Sequence, residues 1–83
     1  MNERDFQKLL GLVREELNSA NEKFGPFNSA HEGWAVLKEE VDELWVEVKK
    51  KQSMRSPELM RSEAVQIAAM AIRFALDICP PVK

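Results

Sequence analysis

Residues 56–79 read SPELMRSEAVQIAAMAIRFALDIC, and this stretch decides the fold class. Ser56 is a capping residue, Pro57 suits a first helical turn, and Glu58 lies near the positive end of the helix dipole. Pro80-Pro81 ends whatever helix precedes them. Between these signals, Leu59, Met60, Val65, Ile67, Met70, Ile72, Phe74, Leu76 and Ile78, together with the alanines, cover most of the helical circumference. The polar residues Ser62, Glu63, Gln66, Arg73 and Asp77 fall within about 100° of one another on the helical wheel. A helix apolar nearly all round must be buried on several sides. Ala64, Ala68, Ala71 and Ala75 leave a groove in which another helix can approach closely. Two companion helices in an 83-residue chain hardly suffice to cover it. The expectation is an all-α, three-helix protomer that completes a four-helix-bundle-like core by oligomerising, as a homodimer or homotetramer.

Working outward, the preceding segment opens with a sharp start signal. Ser29-Ala30-His31-Glu32 matches the capping box, in which Ser29 accepts from a free backbone N–H and Glu32 reaches back. The helix it opens is expected over residues 29–51. Its apolar stripe is Trp34, Leu37, Val41, Leu44, Trp45 and Val48, and core roles are expected for both tryptophans. At the N-terminal end, Phe6, Leu9, Leu10, Val13 and Leu17 recur at spacings of three and four, which predicts a helix over 3–20. Phe24-Gly25-Pro26-Phe27 stops it by pairing a helix-terminating Gly with a Pro. The third helix is expected over 57–79. No alternating apolar pattern marks a strand, so residues 1–83 form one helical domain.

The charge balance removes several function classes. Net charge is −2 with a pI near 5.4, so no basic excess neutralises a nucleic-acid backbone or an anionic membrane. Lys49, Lys50, Lys51, Arg55 and Arg61 cluster locally, in the pattern of a helix end and a solvated linker. Cys79 alone cannot form an internal disulfide, which fits a reducing compartment. The polar first residues lack a signal-peptide pattern, and Ile67–Ile78 is too short and too charged to span a bilayer. The expectation is a cytoplasmic protein with neither nucleic acid nor membrane as partner.

The chemistry-bearing residues lie on the second and third helices. Glu40 and Glu43 are about 60° apart on the wheel, with Glu47 between them and Glu39 further round. An ordinary acidic face accounts for that pattern taken alone. The polar stripe of the third helix changes its weight, because a buried carboxylate and guanidinium need a compensating charge or ligand. Placed together, Glu40, Glu43, Glu63 and Gln66 surround one inter-helical cleft. Clustered oxygen ligands suit Mg²⁺ or Mn²⁺, which relieve carboxylate repulsion and engage phosphate oxygens. A di-iron bundle requires paired Glu-x-x-His motifs, and His31 is the sole histidine. His31 sits in a first helical turn, where the surface or a subunit contact is the expected place for it.

At these residues the chain resembles the MazG-like all-α nucleoside triphosphate pyrophosphohydrolases. Their pattern is Glu-Glu-x-x-Glu on one helix and Glu-x-x-Asp on the next. Glu39-Glu40-Val41-Asp42-Glu43 supplies the first half, and Glu63-Ala64-Val65-Gln66 the second except at its last position. The segments from Phe24 to Val48 and from Ala64 to Asp77 also look like small phage-type and bacterial members. The resemblance implies metal-dependent hydrolysis of a nucleoside triphosphate to monophosphate and pyrophosphate. It implies Glu40, Glu43 and Glu63 as the catalytic carboxylates holding Mg²⁺, with Glu39 and Gln66 completing the metal set. Arg73, and less directly Lys50, Lys51 and Arg61, would bind the triphosphate. Gln66 stands where the family has Asp, so an amide replaces one carboxylate and adds no charge. That departure favours a second reading, a non-catalytic helical module that binds nucleotide or a protein partner.

Overall fold

A computed structural model of the protein describes residues 1–83 and is all-helical. Helix α1 spans Glu3–Lys23, α2 spans Ala30–Val48 and α3 spans Pro57–Ile78, with a single 3-10 turn at Gln52–Met54. Each helix starts where its capping residue places it. The Asn2 side chain accepts from Asp5 N at 3.1 Å, Ser29 Oγ from Glu32 N at 3.1 Å, and Ser56 Oγ from Leu59 N at 3.2 Å. Each bond satisfies one otherwise free N–H of a first turn. The reach of Glu32 lands one residue further out than a capping box requires. Its carboxylate accepts from Asn28 N at 3.3 Å and Asn28 Nδ2 at 3.1 Å.

The helix ends depart from the periodicity. α1 continues past Ala20 to Lys23, and Gly25 is not a left-handed terminator, since no residue has a positive φ. Phe24 is already extended, at φ −130° and ψ 147°. Pro26 keeps Gly25 out of helical backbone, so the helix cannot resume after Phe24. α2 stops at Val48, short of Lys51. Arg55 Nε donates to the Val48 carbonyl at 2.8 Å, and Ser56 N donates to Glu47 Oε1 at 2.9 Å. These bonds fold the linker back over the helix end and occupy a carbonyl that another turn would need. α3 ends at Ile78, with Cys79 extended and exposed in the tail.

α3 lies at the centre: α1 and α2 each pack against it and not against each other. Ala20, Phe27, Ala69 and Met70 are buried, and Val13, Leu17, Val36, Leu37, Phe74 and Ile78 pack around them. Gly33 is where α2 approaches α3 most closely. A Cβ there would lie 2.6 Å from Phe74 Cδ2 and 3.1 Å from Phe27 Cδ2. This approach sets the rotation of α2, so that Gly33 and Glu47 are buried and Leu37, Glu40 and Leu44 are half-buried. Trp34 and Trp45 are therefore not core residues; they are 57% and 59% exposed, with Val41 beside them at 44%. The tryptophans and the inward face are two different stripes of one helix.

The polar stripe of α3 faces inward. Arg73 is 4% exposed, Glu63, Gln66 and Asp77 are half-buried, and only Ser62 of the five is exposed. The opposite face, with Ala64, Ala71, Ile72, Ala75 and Leu76, is exposed, and Ala68 is half-buried. The chain exposes 6531 Å², whereas a compact monomeric protein of this mass exposes about 5,000 Å². Its radius of gyration is 14.1 Å, against about 12 Å for a compact chain of this length. No helix is long and apolar enough to cross a membrane.

Candidate metal centre and cleft

α2 and α3 run antiparallel, and the same register that seats Gly33 against Phe74 brings Glu40 and Glu43 to Glu63. One carboxylate oxygen from each of these three residues lies within 4.8 Å of the other two. Glu40 and Glu63 are half-buried and Glu43 is exposed. Glu40 Oε2 and Glu63 Oε2 are buried without a hydrogen-bond partner. Ionised carboxylates only accept, so three of them facing each other leave a place for a proton or a cation. The carboxyl group of Glu40 is pushed up from its ordinary 4.5 to about 7, first by desolvation and then by the charges of Glu43 and Glu63. Glu63 is also raised, by desolvation first and then by hydrogen bonding and repulsion from Glu43, with a smaller push from Glu47.

Glu47 is the residue that sequence reasoning placed on the right face but left out of the site. It is 6% exposed, accepts from Lys50 Nζ at 2.8 Å and Ser56 N at 2.9 Å, and is lowered from the ordinary carboxylate range by those two bonds in that order. It stays ionised beside Glu63 and ties the linker to α2. Its seven-residue spacing from Glu40 and the Lys three positions later are the signals that point to it.

The structure does not gather all the expected site residues. Glu39 lines the approach to Glu40, and its charge adds slightly to the upward push on it. Gln66 sits one turn from Glu63 on α3, half-buried, and its amide donates to neither orphaned oxygen. Lys50 is held by Glu47, Lys51 is exposed in the linker, and Arg61 lines a separate cleft between α1 and α3 with Glu15 and Glu58. Arg73 does reach the cleft wall, but its guanidinium is engaged: Nη2 donates to the Gly25 carbonyl, and the carbon centre lies 4.4 Å from the Phe27 ring centroid. Its Nε has no hydrogen-bond partner and lies 3.9 Å from Asp77 Oδ2. Asp77 Oδ2 accepts from Phe27 N at 3.0 Å. The expected phosphate ligand is thus committed to the 24–27 loop, because that loop has no helical partners for its own polar groups. The cation at the cleft rim that sequence reasoning did not name is Lys23.

The cleft itself exists because α1 and α2 do not meet. It holds about 750 Å³, with Glu16, Ala20 and Lys23 on one wall, Val36, Glu39 and Glu40 on the other, Met70 and Arg73 as floor and the 24–28 loop closing one end. That volume is in the range of small-molecule sites. Glu40 belongs both to this cleft and to the carboxylate cluster. Comparison with family models, curated proteins and solved structures returns no match.

The cluster suits a hard divalent cation. Its donors are all carboxylate oxygens, and the two orphaned ones are unsatisfied without a positive partner.

Proposed function

We propose that the protein is a divalent-metal-dependent nucleoside triphosphate pyrophosphohydrolase of the MazG-like kind, working as a homo-oligomer. The observation that carries this reading is the Glu40–Glu43–Glu63 cluster, two of whose oxygens are buried and unpartnered, opening beside a cleft of nucleotide size. The net reaction adds one water across the α–β phosphoanhydride and yields monophosphate and pyrophosphate. Glu40, Glu43 and Glu63 would hold Mg²⁺ or Mn²⁺, which when bound supplies positive charge to phosphate oxygens and acidifies water. Without a cation Glu40 is raised to about 7, and a bound cation would bring it back down by stabilising the carboxylate, so metal binding there would release a proton near neutral pH. Glu39 adds negative charge at the entrance, and Arg73 sets the position of the loop that closes the cleft.

The oligomer is supported by area. The protomer exposes roughly 1,500 Å² more than a monomer of its mass, and twice that excess lies within the 2,000–5,000 Å² range of obligate homodimers. The outward face of α3 supplies apolar surface of the right kind, with Ile72 41% and Leu76 63% exposed among alanines. Light scattering should give two or four times 9.5 kDa, and a folded monomer at micromolar concentration overturns this part.

Gln66 favours a second reading, a non-catalytic module that keeps the fold and binds nucleotide. Pyrophosphate release from a panel of nucleoside triphosphates with Mg²⁺ or Mn²⁺ separates the two. The enzyme releases it, and Glu40→Gln/Glu63→Gln loses at least about a hundredfold, a typical loss for a catalytic acid–base group. Nucleotide binding with no release across the panel favours the module.

A further inference from the structure

We infer that Glu47 is a positioning residue for the carboxylate cluster: by accepting from Ser56 N it fixes the register in which Glu63 faces Glu40 and Glu43. The consequence for a cation rests on the metal reading of that cluster; the clasp itself rests on separate residues.

The first observation concerns a helix cap. Ser56 caps α3 with its hydroxyl, so its own N–H lies outside the helical ladder. In a capping box the residue three positions on is Glu or Gln and takes that N–H; at this helix it is Leu59. Glu47 of α2 takes it instead, Oε1 accepting at 2.9 Å while Oε2 accepts from Lys50 Nζ at 2.8 Å. The Glu47 side chain is buried, so both oxygens depend on these partners. A bond that is ordinarily local thus joins two helices.

The second observation is register. Glu47 lies seven residues after Glu40 on α2, and Ser56 lies seven residues before Glu63 at the start of the antiparallel α3. The two pairs therefore share one register, two turns apart, roughly 10 Å by helix rise. A slip of α3 along α2 that broke the Glu47–Ser56 bond would also carry Glu63 away from Glu40.

The third observation is the force that the clasp opposes. Three carboxylates with oxygens within 4.8 Å repel, and two of those oxygens are buried without a partner. The close approach of Gly33 to Phe74 lies at the far end of the helix pair. At the near end, the bonds from α2 to the chain entering α3 are those of Glu47 with Ser56 and of the Val48 carbonyl with Arg55. The charge of Glu47 reaches Glu63 and adds to the repulsion there. What Glu47 contributes to the metal-free cluster is therefore its bond and not its charge.

Glu47→Gln and Glu47→Met separate the two. Both side chains are neutral and near the native size, but only Gln offers Ser56 N an oxygen. Mn²⁺ affinity, measured by calorimetry well below each melting temperature, should fall about tenfold or more in Glu47→Met, the scale of one lost charge-assisted bond. Glu47→Gln should stay within about threefold of the wild type, since a neutral acceptor keeps about half the bond strength. Equal weakening in both variants, or none in either, overturns the inference and leaves the metal reading intact. Amide hydrogen exchange reads the clasp without metal: Ser56 N–H should be protected in the wild type and Glu47→Gln, and exchange about tenfold faster or more in Glu47→Met. If the wild type binds no Mn²⁺, the metal reading fails and this exchange pattern decides the clasp, with unchanged protection in Glu47→Met overturning it. Where Glu47→Met does not fold, protection in the wild type and Glu47→Gln upholds the clasp, and an unprotected Ser56 amide in either overturns it.

Discussion

At the loop end of the α2–α3 pair, Gly33 meets Phe74, and Arg73 and Asp77 hold the backbone of Gly25 and Phe27. Two turns further along α2, roughly 10 Å away by helix rise, Glu40, Glu43 and Glu63 face one another with two oxygens unpartnered. The same two helices thus carry close packing with paired charges at one end and repulsion at the other. Removing a polar group should therefore have opposite signs at the two ends. The loop end stabilises the register that forces the carboxylates together, and the carboxylates return that stability only when a cation joins them.

The largest effect is expected at the loop end. Arg73→Ala removes the bond to Gly25, the stacking on Phe27 and the charge nearest the half-buried Asp77, and should cost about 3 kcal/mol of unfolding free energy. Urea denaturation measures it, and a loss below about 1 kcal/mol would show that the loop is not held from α3. A smaller loss is expected from Gly33→Ala. Helix propensity alone gains about 1 kcal/mol. The new Cβ, 2.6 Å from Phe74, forces two rings to move, which typically costs 1–3 kcal/mol, so the net is a modest loss of about 1 kcal/mol. A clear gain in melting temperature would mean that α2 is not seated on Phe74.

The smallest effect has the opposite sign and belongs to the carboxylate end. Glu40 is protonated in both folded and unfolded chains below pH 4.5 and contributes no difference there. Between 4.5 and about 7 the folded chain keeps a proton that the unfolded chain has lost, so metal-free stability falls as pH rises and the full penalty applies above 7. For a half-exposed group, screening reduces that penalty to about 1 kcal/mol. Glu40→Gln should stabilise the metal-free protein by that amount at pH 8 and flatten the slope between pH 5 and 7. Millimolar Mg²⁺ should reverse the order by raising the melting temperature of the wild type more than that of the variant. Parallel pH slopes and equal magnesium shifts would remove the contrast between the two ends.

Local chemistry determined the helices by itself. Ser29, Ser56 and Pro57 mark starts that depend only on short-range bonds, and the 3.6-residue period of the apolar positions requires no partner to be read. The face shared by Glu40, Glu43 and Glu47 follows from the same period, as does the polar stripe of α3. Tertiary structure decided which stripe turns inward. Gly33 rotates α2 so that Glu40 and Glu47 approach α3 while Trp34 and Trp45 stay outside, and no periodicity distinguishes those two faces when both contain apolar residues. Tertiary structure also decided the role of Arg73, since a guanidinium takes whichever acceptor its neighbours bring. Here the loop at Pro26, whose Gly25 lies 48 positions from Arg73 in sequence, presents an unsatisfied carbonyl and an aromatic ring. Helix boundaries, caps and faces are local and therefore legible in the chain; the partner of a buried charge is set by contacts between distant segments, and only the packed molecule contains them.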